Sequence, residues 1–407
     1  MQPARKQAIL FFMPMSSDLE RAEAELLGAS AELTEIRRSL HRRPELSGVE
    51  RETTAFIQER LTTLGIAHTP GPGGVGVLAQ LPGDRRDGPL IALRADIDAL
   101  PIQEENDVPY RSENKGVMHA CGHDAHTTML LGALSALRRA GSPIPCRGIF
   151  QSSEEAGQGA LDMVHAGAVD GVRSIIALHV DPNLPAGVVG VTSGPQTAFC
   201  QDFSVVIRGR GGHAARPHLT IDPIAIGAQW VTALYQTIPR ASDAAKPVVV
   251  TIGQFEGGHC SNVIPDTARL RGTVRTLDPA SAEETRTRIL RLCEGVALAS
   301  EATIEATFDR QLPGVVNDEE ITRTCQQAAR DLLGDENVIL LGRPSMGAED
   351  FADYLSAVPG CMMRLGVAKP GGSITPLHTP TFNIAENALP IGSRLLLRCL
   401  HALINAH

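Results

Sequence analysis

Apolar positions recur along this chain in two rhythms. Leu33, Ile36 and Leu40 fall at i, i+3 and i+7. That spacing predicts a helix over 18–43, stopped by Pro44. A second helix is expected over 50–64, with Ile57, Leu61 and Leu64 on one face and Gly65 at its end. Met129, Leu130, Ala133, Leu134 and Leu137 mark a third over 125–140. Shorter apolar runs read as strands at 75–81, 90–93, 148–151 and 174–178, with a helix at 159–166. The first two strands are parted by the turn Pro82-Gly83-Asp84. Strands alternating with helices predict a largely parallel sheet covered on both faces.

The rhythm changes near Gly187–Gly194. A strand at 202–208 is followed by a helix at 222–235, strands at 247–255 and 268–276, a helix at 280–299 and a strand at 303–308. The order β-α-β-β-α-β is that of a ferredoxin-like α+β sandwich. After about residue 311 the earlier style returns, with a helix at 319–333, a strand at 361–367 and a helix at 386–404. The expected fold class is therefore α/β, with a mostly parallel mixed sheet flanked by helices and an inserted ferredoxin-like domain. The expected boundaries are 16–192 for the first part of the large domain, 193–310 for the insert and 311–407 for the remainder.

Composition narrows the function. The chain has 407 residues, 43% of them hydrophobic, enough for a sizeable core. A net charge of −9 without a Lys/Arg block argues against nucleic acid or an anionic membrane as the main partner. Aromatic residues are only 3%, which leaves few stacking platforms. No apolar run reaches membrane-spanning length. Eight cysteines stand singly, with no Cys-x-x-Cys pair, and point to reduced thiols. Residues 8–15 are apolar after Arg5 and Lys6, but the run is short and contains Pro14. It reads as an N-terminal extension, with Met15 as a second candidate start, rather than a secretory leader. A cytoplasmic location is expected.

The densest chemistry lies in Met118-His119-Ala120-Cys121-Gly122-His123-Asp124-Ala125-His126. Thiolate, imidazole and carboxylate are ligands for a borderline-soft divalent metal. Taken alone, the stretch could also supply a cysteine nucleophile or be a buried turn. The strand pattern adds to it. The run at 90–93 is followed by Asp96 and Asp98, that at 149–150 by Glu154 and Glu155, and that at 175–178 by His179. Ligands of open α/β sheets sit beyond the carboxyl ends of the strands, so three strands deliver acids and a histidine to one rim. Each alone has a bland reading: a solvated acidic turn, or a satisfied core histidine. Together they supply metal ligands and a spare carboxylate that can take a proton from an activated water. His378, held between Pro376 and Pro380, fits as a fifth ligand.

With these residues in view, the chain resembles the peptidase family M20 metallohydrolases. The likeness is to the amidohydrolase branch of hippurate hydrolases, N-acyl-amino-acid amidohydrolases and auxin-conjugate hydrolases. It rests on Leu93-Arg94-Ala95-Asp96-Ile97-Asp98-Ala99-Leu100-Pro101, on 118–126, on Glu154-Glu155, on Gly211-Gly212-His213-Ala214-Ala215 and on Gly257-Gly258. Asn262-Val263-Ile264-Pro265-Asp266, Gly272-Thr273-Val274-Arg275, Gly347-Ala348-Glu349-Asp350-Phe351 and His378-Thr379-Pro380 complete it. The resemblance implies two divalent metal ions per subunit, Zn or Mn before Co or Ni. Cys121, His123, Glu155, His179 and His378 match the ligands and Glu154 the general base, with Asp98 orienting a ligand from behind. It also implies that the insert acts as a dimerisation and lid domain. His213 would then steady the oxyanion, often in the partner's site, while Asn262 and Arg275 hold the substrate's carbonyl and carboxylate. A guanidinium fork suits a carboxylate.

Asp124 is expected to cap or support the helix after it, and His119 and His126 to belong to the surroundings of the metal. Two departures stand out. Ser152-Ser153 replaces a commoner Pro-Ala, and Cys260 a commoner small residue. The expected activity is hydrolysis of the amide of an N-acyl amino acid, in a homodimer or higher homo-oligomer. The alternatives are a metallo-carboxypeptidase or dipeptidase of the same family, a Cys121-nucleophile amidase, and a silent binding protein on the same fold.

Overall fold

The computed structural model describes residues 17–83, 89–369, 371 and 374–406. The choice between Met1 and Met15, and Asp84 of the predicted turn, fall outside the described residues. An eight-stranded sheet runs Ala67–Pro70, Val77–Leu81, Cys146–Gln151, Leu90–Asp96, Val172–Pro185, Gly360–Ala368, Val189–Gly190, Val338–Ile339 in spatial order. Its four central strands, from Cys146–Gln151 to Gly360–Ala368, are mutually parallel, while the flanking strands pair in both senses.

Side-chain alternation explains how this sheet is covered. Ile91, Leu93, Ile176, Leu178, Cys361, Met363 and Leu365 point into one apolar cluster, which helices Ser30–Arg42, His123–Arg139 and Ala388–Asn405 close. Ala92, Ile175, Ala177 and Met362 point the other way, into a smaller cluster closed by Gly159–His165 and Phe351–Leu355. Strands buried on both faces read as continuous apolar runs, which is why the sequence shows 90–93 and 175–178 without polar alternation.

Two expectations are corrected. The predicted helix over 18–43 is two helices, Ser17–Gly28 and Ser30–Arg42, broken at Ala29 with φ −93° and ψ 8°. Gly28, a poor helix former, weakens the junction, and Ser30 turns its hydroxyl back to the Leu27 carbonyl. The strand expected to end at Leu178 runs on to Pro185, because its neighbour pairs with it as far as Ala368. The helix predicted over 222–235 runs on to Ala241, and the other elements lie within a few residues of their predicted places, with Glu319–Leu333 as expected.

The 199–308 region builds its own four-stranded antiparallel sheet, in the order Val248–Gly257, Thr267–Thr276, Phe199–Arg208, Thr303–Phe308. Helices Pro223–Ala241 and Pro279–Ser300 pack on it around Trp230, Phe203 and Ile289. Asp222 and Asp278 cap the two helices by accepting from backbone N–H groups in the first turn. No described helix is long and apolar enough to cross a membrane.

Candidate active site and metal centre

The carboxyl ends of the parallel strands set the site. Helix His123–Arg139 begins at that rim, with Gly122 as its N-cap at φ +89°. A Cβ at Gly122 would come 2.4 Å from Val180 Cγ2, so only glycine lets the turn present Cys121 and His123 to the centre. The helix therefore starts two residues before its predicted start. Gly122, not Asp124, is the N-cap, but Asp124 supports the first turn by accepting the Ala125 N–H at 2.9 Å. Its carboxylate is buried, accepting from Arg37 Nε at 2.8 Å and lying 2.7 Å from His41 Nδ1. Those charges hold it far below the usual carboxylate range, against the cost of burial.

Five side chains converge. The ligand atoms of Cys121, His123 and His179 lie within 4.8 Å of one another, as do those of Cys121, Glu155 and His378. Cys121 Sγ is 3.5 Å from His179 Nε2, and His378 Nε2 is 3.4 Å from Glu155 Oε1. The backs of the imidazoles are fixed. His123 Nδ1 faces the Asp98 carbonyl at 2.9 Å and Asp98 Oδ1 at 3.1 Å, while His179 Nδ1 faces the Val180 carbonyl at 2.8 Å. Each Nδ1 therefore donates outward, and Nε2 is the ring atom left facing the centre. Asp98 is itself held by the Ser47 hydroxyl at 2.7 Å and the Glu155 N–H at 2.9 Å.

The donors fit a divalent-metal pair. His123 Nε2 and Glu155 Oε1 are buried without a hydrogen-bond partner, a costly state that coordination would relieve. Burial and then Arg364 and His126 push His179 well below the usual imidazole range, so it is neutral, as a ligand must be. Burial pushes the Cys121 thiol up to about 12, so without a cation it stays protonated. A thiolate with imidazoles and a carboxylate suits Zn, Co or Ni, and the oxygen and nitrogen donors also admit Mn.

Two other groupings are sterically close but already occupied. His126 Nδ1 is 2.6 Å from Asp96 Oδ1, and its Nε2 accepts the Val180 N–H at 2.9 Å. Both ring nitrogens are used, so His126 stands behind the site, as expected. Asp350 accepts from Arg94, Gln151 and the Ala160 N–H. His119 is also buried, with neither ring nitrogen bonded; burial pushes it down to about 4 and leaves it neutral.

Glu154 lies beside the ligands, with Oε2 3.9 Å from His123 Nε2. Burial, together with Glu349 and Asp350, pushes its carboxyl well above the usual range. It follows Ser153, whose φ of +58° is unusual outside glycine and is held by an N–H to Glu50 Oε1 at 2.8 Å. His378 has the same kind of backbone, at φ +60°, anchored by its N–H to the Ala120 carbonyl at 2.8 Å. Strained backbone on both sides of one site is a mark of geometry imposed by tertiary contacts.

Sequence reasoning gave no role to the buried network behind Glu154. Arg94 donates to Gln151 at 2.8 Å, Asp96 at 2.6 Å and Asp350 at 3.0 Å, with Glu349 3.2 Å away. The available signal was an arginine and an aspartate inside an apolar strand run, where unpaired charge is too costly to survive.

A cavity of about 980 Å³ opens over the centre and is lined by Cys121, Glu154, Glu155, His179, His378 and Arg275, among others. Arg275 donates to the Met346 carbonyl at 2.9 Å. His213 and Asn262 are elsewhere. They are exposed, adjacent through the Val263–His213 strand pair and the Ala214 N–H to Asn262 carbonyl bond at 3.1 Å, and outside this cavity's lining.

Fold and donor set define a metallohydrolase of the open α/β class with an inserted α+β domain. Residues 92–402 match the model of peptidase family M20/M25/M40, and the chain belongs to that family. It is a metal-dependent amidohydrolase. It is 38% identical to the N-acetyl-L-cysteine deacetylase of Bacillus subtilis over 96% of this chain and 91% of that one. It is 36% identical to thermostable carboxypeptidase 2 of Saccharolobus solfataricus over 89% of this chain and 92% of that one. Among solved structures it resembles a Bacillus subtilis protein described as a dinuclear metal binding peptidase of family M20. The TM-score is 0.82 and the identity 35%, over 94% of this chain and 100% of that one.

Proposed function

We propose that this enzyme hydrolyses the amide bond of N-acyl amino acids, hippurate-like or N-acetylated, releasing a carboxylic acid and a free amino acid. The observation that carries the reading is one cavity lined by four of the five convergent ligands, with His123 buried behind them, a spare carboxylate at Glu154 and a guanidinium at Arg275. Cys121, His123, Glu155, His179 and His378 would hold the two ions. Divalent metals, when bound there, polarise a carbonyl and acidify water.

The chain's own residues do the rest. Glu154 takes the proton of the attacking water and delivers it to the departing amine nitrogen. Arg275 holds the amino acid's carboxylate through its remaining N–H donors. His213 and Asn262, which do not line this subunit's cavity, serve the oxyanion and carbonyl of a partner's site in a homodimer.

The test is a panel on metal-defined protein: hippurate, N-acetyl amino acids, longer acyl amino acids and dipeptides. N-acyl amino acids should be cleaved, and Glu154→Gln should keep its metal while kcat falls by roughly 10²–10⁴. Turnover of dipeptides alone would support a second reading, a carboxypeptidase or dipeptidase, which the Saccharolobus relative favours. A Cys121 nucleophile predicts activity that survives chelation. The buried, protonated thiol argues against it, since reactive cysteines have lowered pKa values.

A further inference from the structure

Arg364 is a half-buried guanidinium of the cavity with neither an ion pair nor a hydrogen bond among the described residues. Arg364 lies opposite His179 in the parallel pair of central strands. Register partners share a face of the sheet, and Arg364 lines the cavity with His179.

The neighbouring charges account for themselves. Arg310 is bidentate to Asp353 at 3.0 Å, and Arg275 is tied to Met346. Arg343 lines the rim but is exposed. Asp181, in register with Gly366 two positions along from Arg364, has its Oδ1 occupied by the N–H and amide of Asn183. Asp202 and Asp309 line the same cavity without reaching Arg364. A cation partly withdrawn from water beside a centre built for divalent ions is poorly placed unless an anion arrives with the ligand.

Arg275, on the inserted domain, is already available for the amino acid's carboxylate. We infer that Arg364, on the catalytic sheet, receives a second carboxylate, so that the preferred substrates are dianionic N-acyl amino acids. The second carboxylate comes from the side chain of the released amino acid or from a dicarboxylic acyl group. This inference rests on the function proposed above.

The experiment compares kcat/KM for N-acetyl-methionine, N-acetyl-glutamate and N-succinyl-methionine in wild type, Arg364→Met and Arg364→Lys, all metal-loaded. Wild type should favour one of the two dianions, and which one identifies the source of the carboxylate. In Arg364→Met the dianion-to-monoanion ratio should fall about 10–100-fold, the scale of a charge-assisted hydrogen bond, mainly through KM. Arg364→Lys should recover part of it. Calorimetric binding of the favoured dianion to Glu154→Gln, with and without Arg364→Met, should show the same loss without turnover. A wild type that cleaves all three without dianion preference, or an Arg364→Met that loses all three equally, overturns the inference alone. A wild type that cleaves no N-acyl amino acid overturns the function beneath it.

Discussion

At the scale of single residues, the site is a matter of which atom faces inward. Cys121, His123 and His179 present Sγ, Nε2 and Nε2 because their backs are occupied by backbone and by Asp98. His126 sits in the same nine-residue cluster but spends both nitrogens on Asp96 and Val180. The resemblance already set Cys121 and His123 apart from His119 and His126, and the hydrogen bonds give His126 its physical reason. The metal-free protonation states have a consequence. The Cys121 thiol is pushed up to about 12, and against the opposing effect of burial Asp96 and Asp98 raise His123 well above its ordinary range. Metal entry must displace those protons. Apparent metal affinity should therefore rise with pH by roughly tenfold per unit for each proton released. Loading an unbuffered sample should acidify it, and Cys121→Ser should release fewer protons. Calorimetry in buffers of different ionisation enthalpy counts the protons; uptake without release would contradict this account.

At the scale of elements, strand ends explain most of what the sequence revealed. Apolar runs are legible because strands buried on both faces must be apolar throughout, and the acids just beyond them stand out. What crosses between elements is not legible. Arg94 joins one strand to Gln151 of another and to Asp350 at the head of a distant helix, a set no local pattern predicts. The N-terminal helix Ser17–Gly28 is tied to Ala388–Asn405 in the same way, by Glu23 with Arg398 at 2.7 and 3.0 Å and Arg394 at 3.4 Å. Burial pushes the Glu23 carboxyl up, but the two guanidinium groups outweigh it and hold it below its ordinary range. A carboxyl lowered in the folded state adds stability that is present above its unfolded pKa and lost as pH falls through the folded one. Urea unfolding of wild type should weaken below about pH 4. Glu23→Gln should cost about 1–3 kcal/mol at neutral pH and flatten that part of the acid limb. An unchanged limb would exclude the pair as its source.

At the scale of the whole molecule, the inserted region carries Arg275 to the cavity but leaves His213 and Asn262 exposed and outside it. If they complete a partner's site, inactive subunits should complement. Mixing Glu154→Gln with His213→Ala subunits should give mixed dimers with up to about half of wild-type activity, because one of their two sites is whole. The readout is kcat after unfolding and reassembly of the mixture, against each variant treated alone. Activity no higher than the two parents would place His213 within its own subunit.

The sequence by itself determined the element order, the two-part architecture and the identity of the ligand candidates. Those follow from periodicity and from the cost of placing acids and histidines at strand ends without a use for them. Tertiary structure alone decided three things: that Asp124 is a buried counter-charge, that Ser153 and His378 sit at positive φ, and that Arg364 stands unpaired beside His179. Each depends on a partner tens to hundreds of residues away, or on one whose absence becomes visible only once every other charge has been placed.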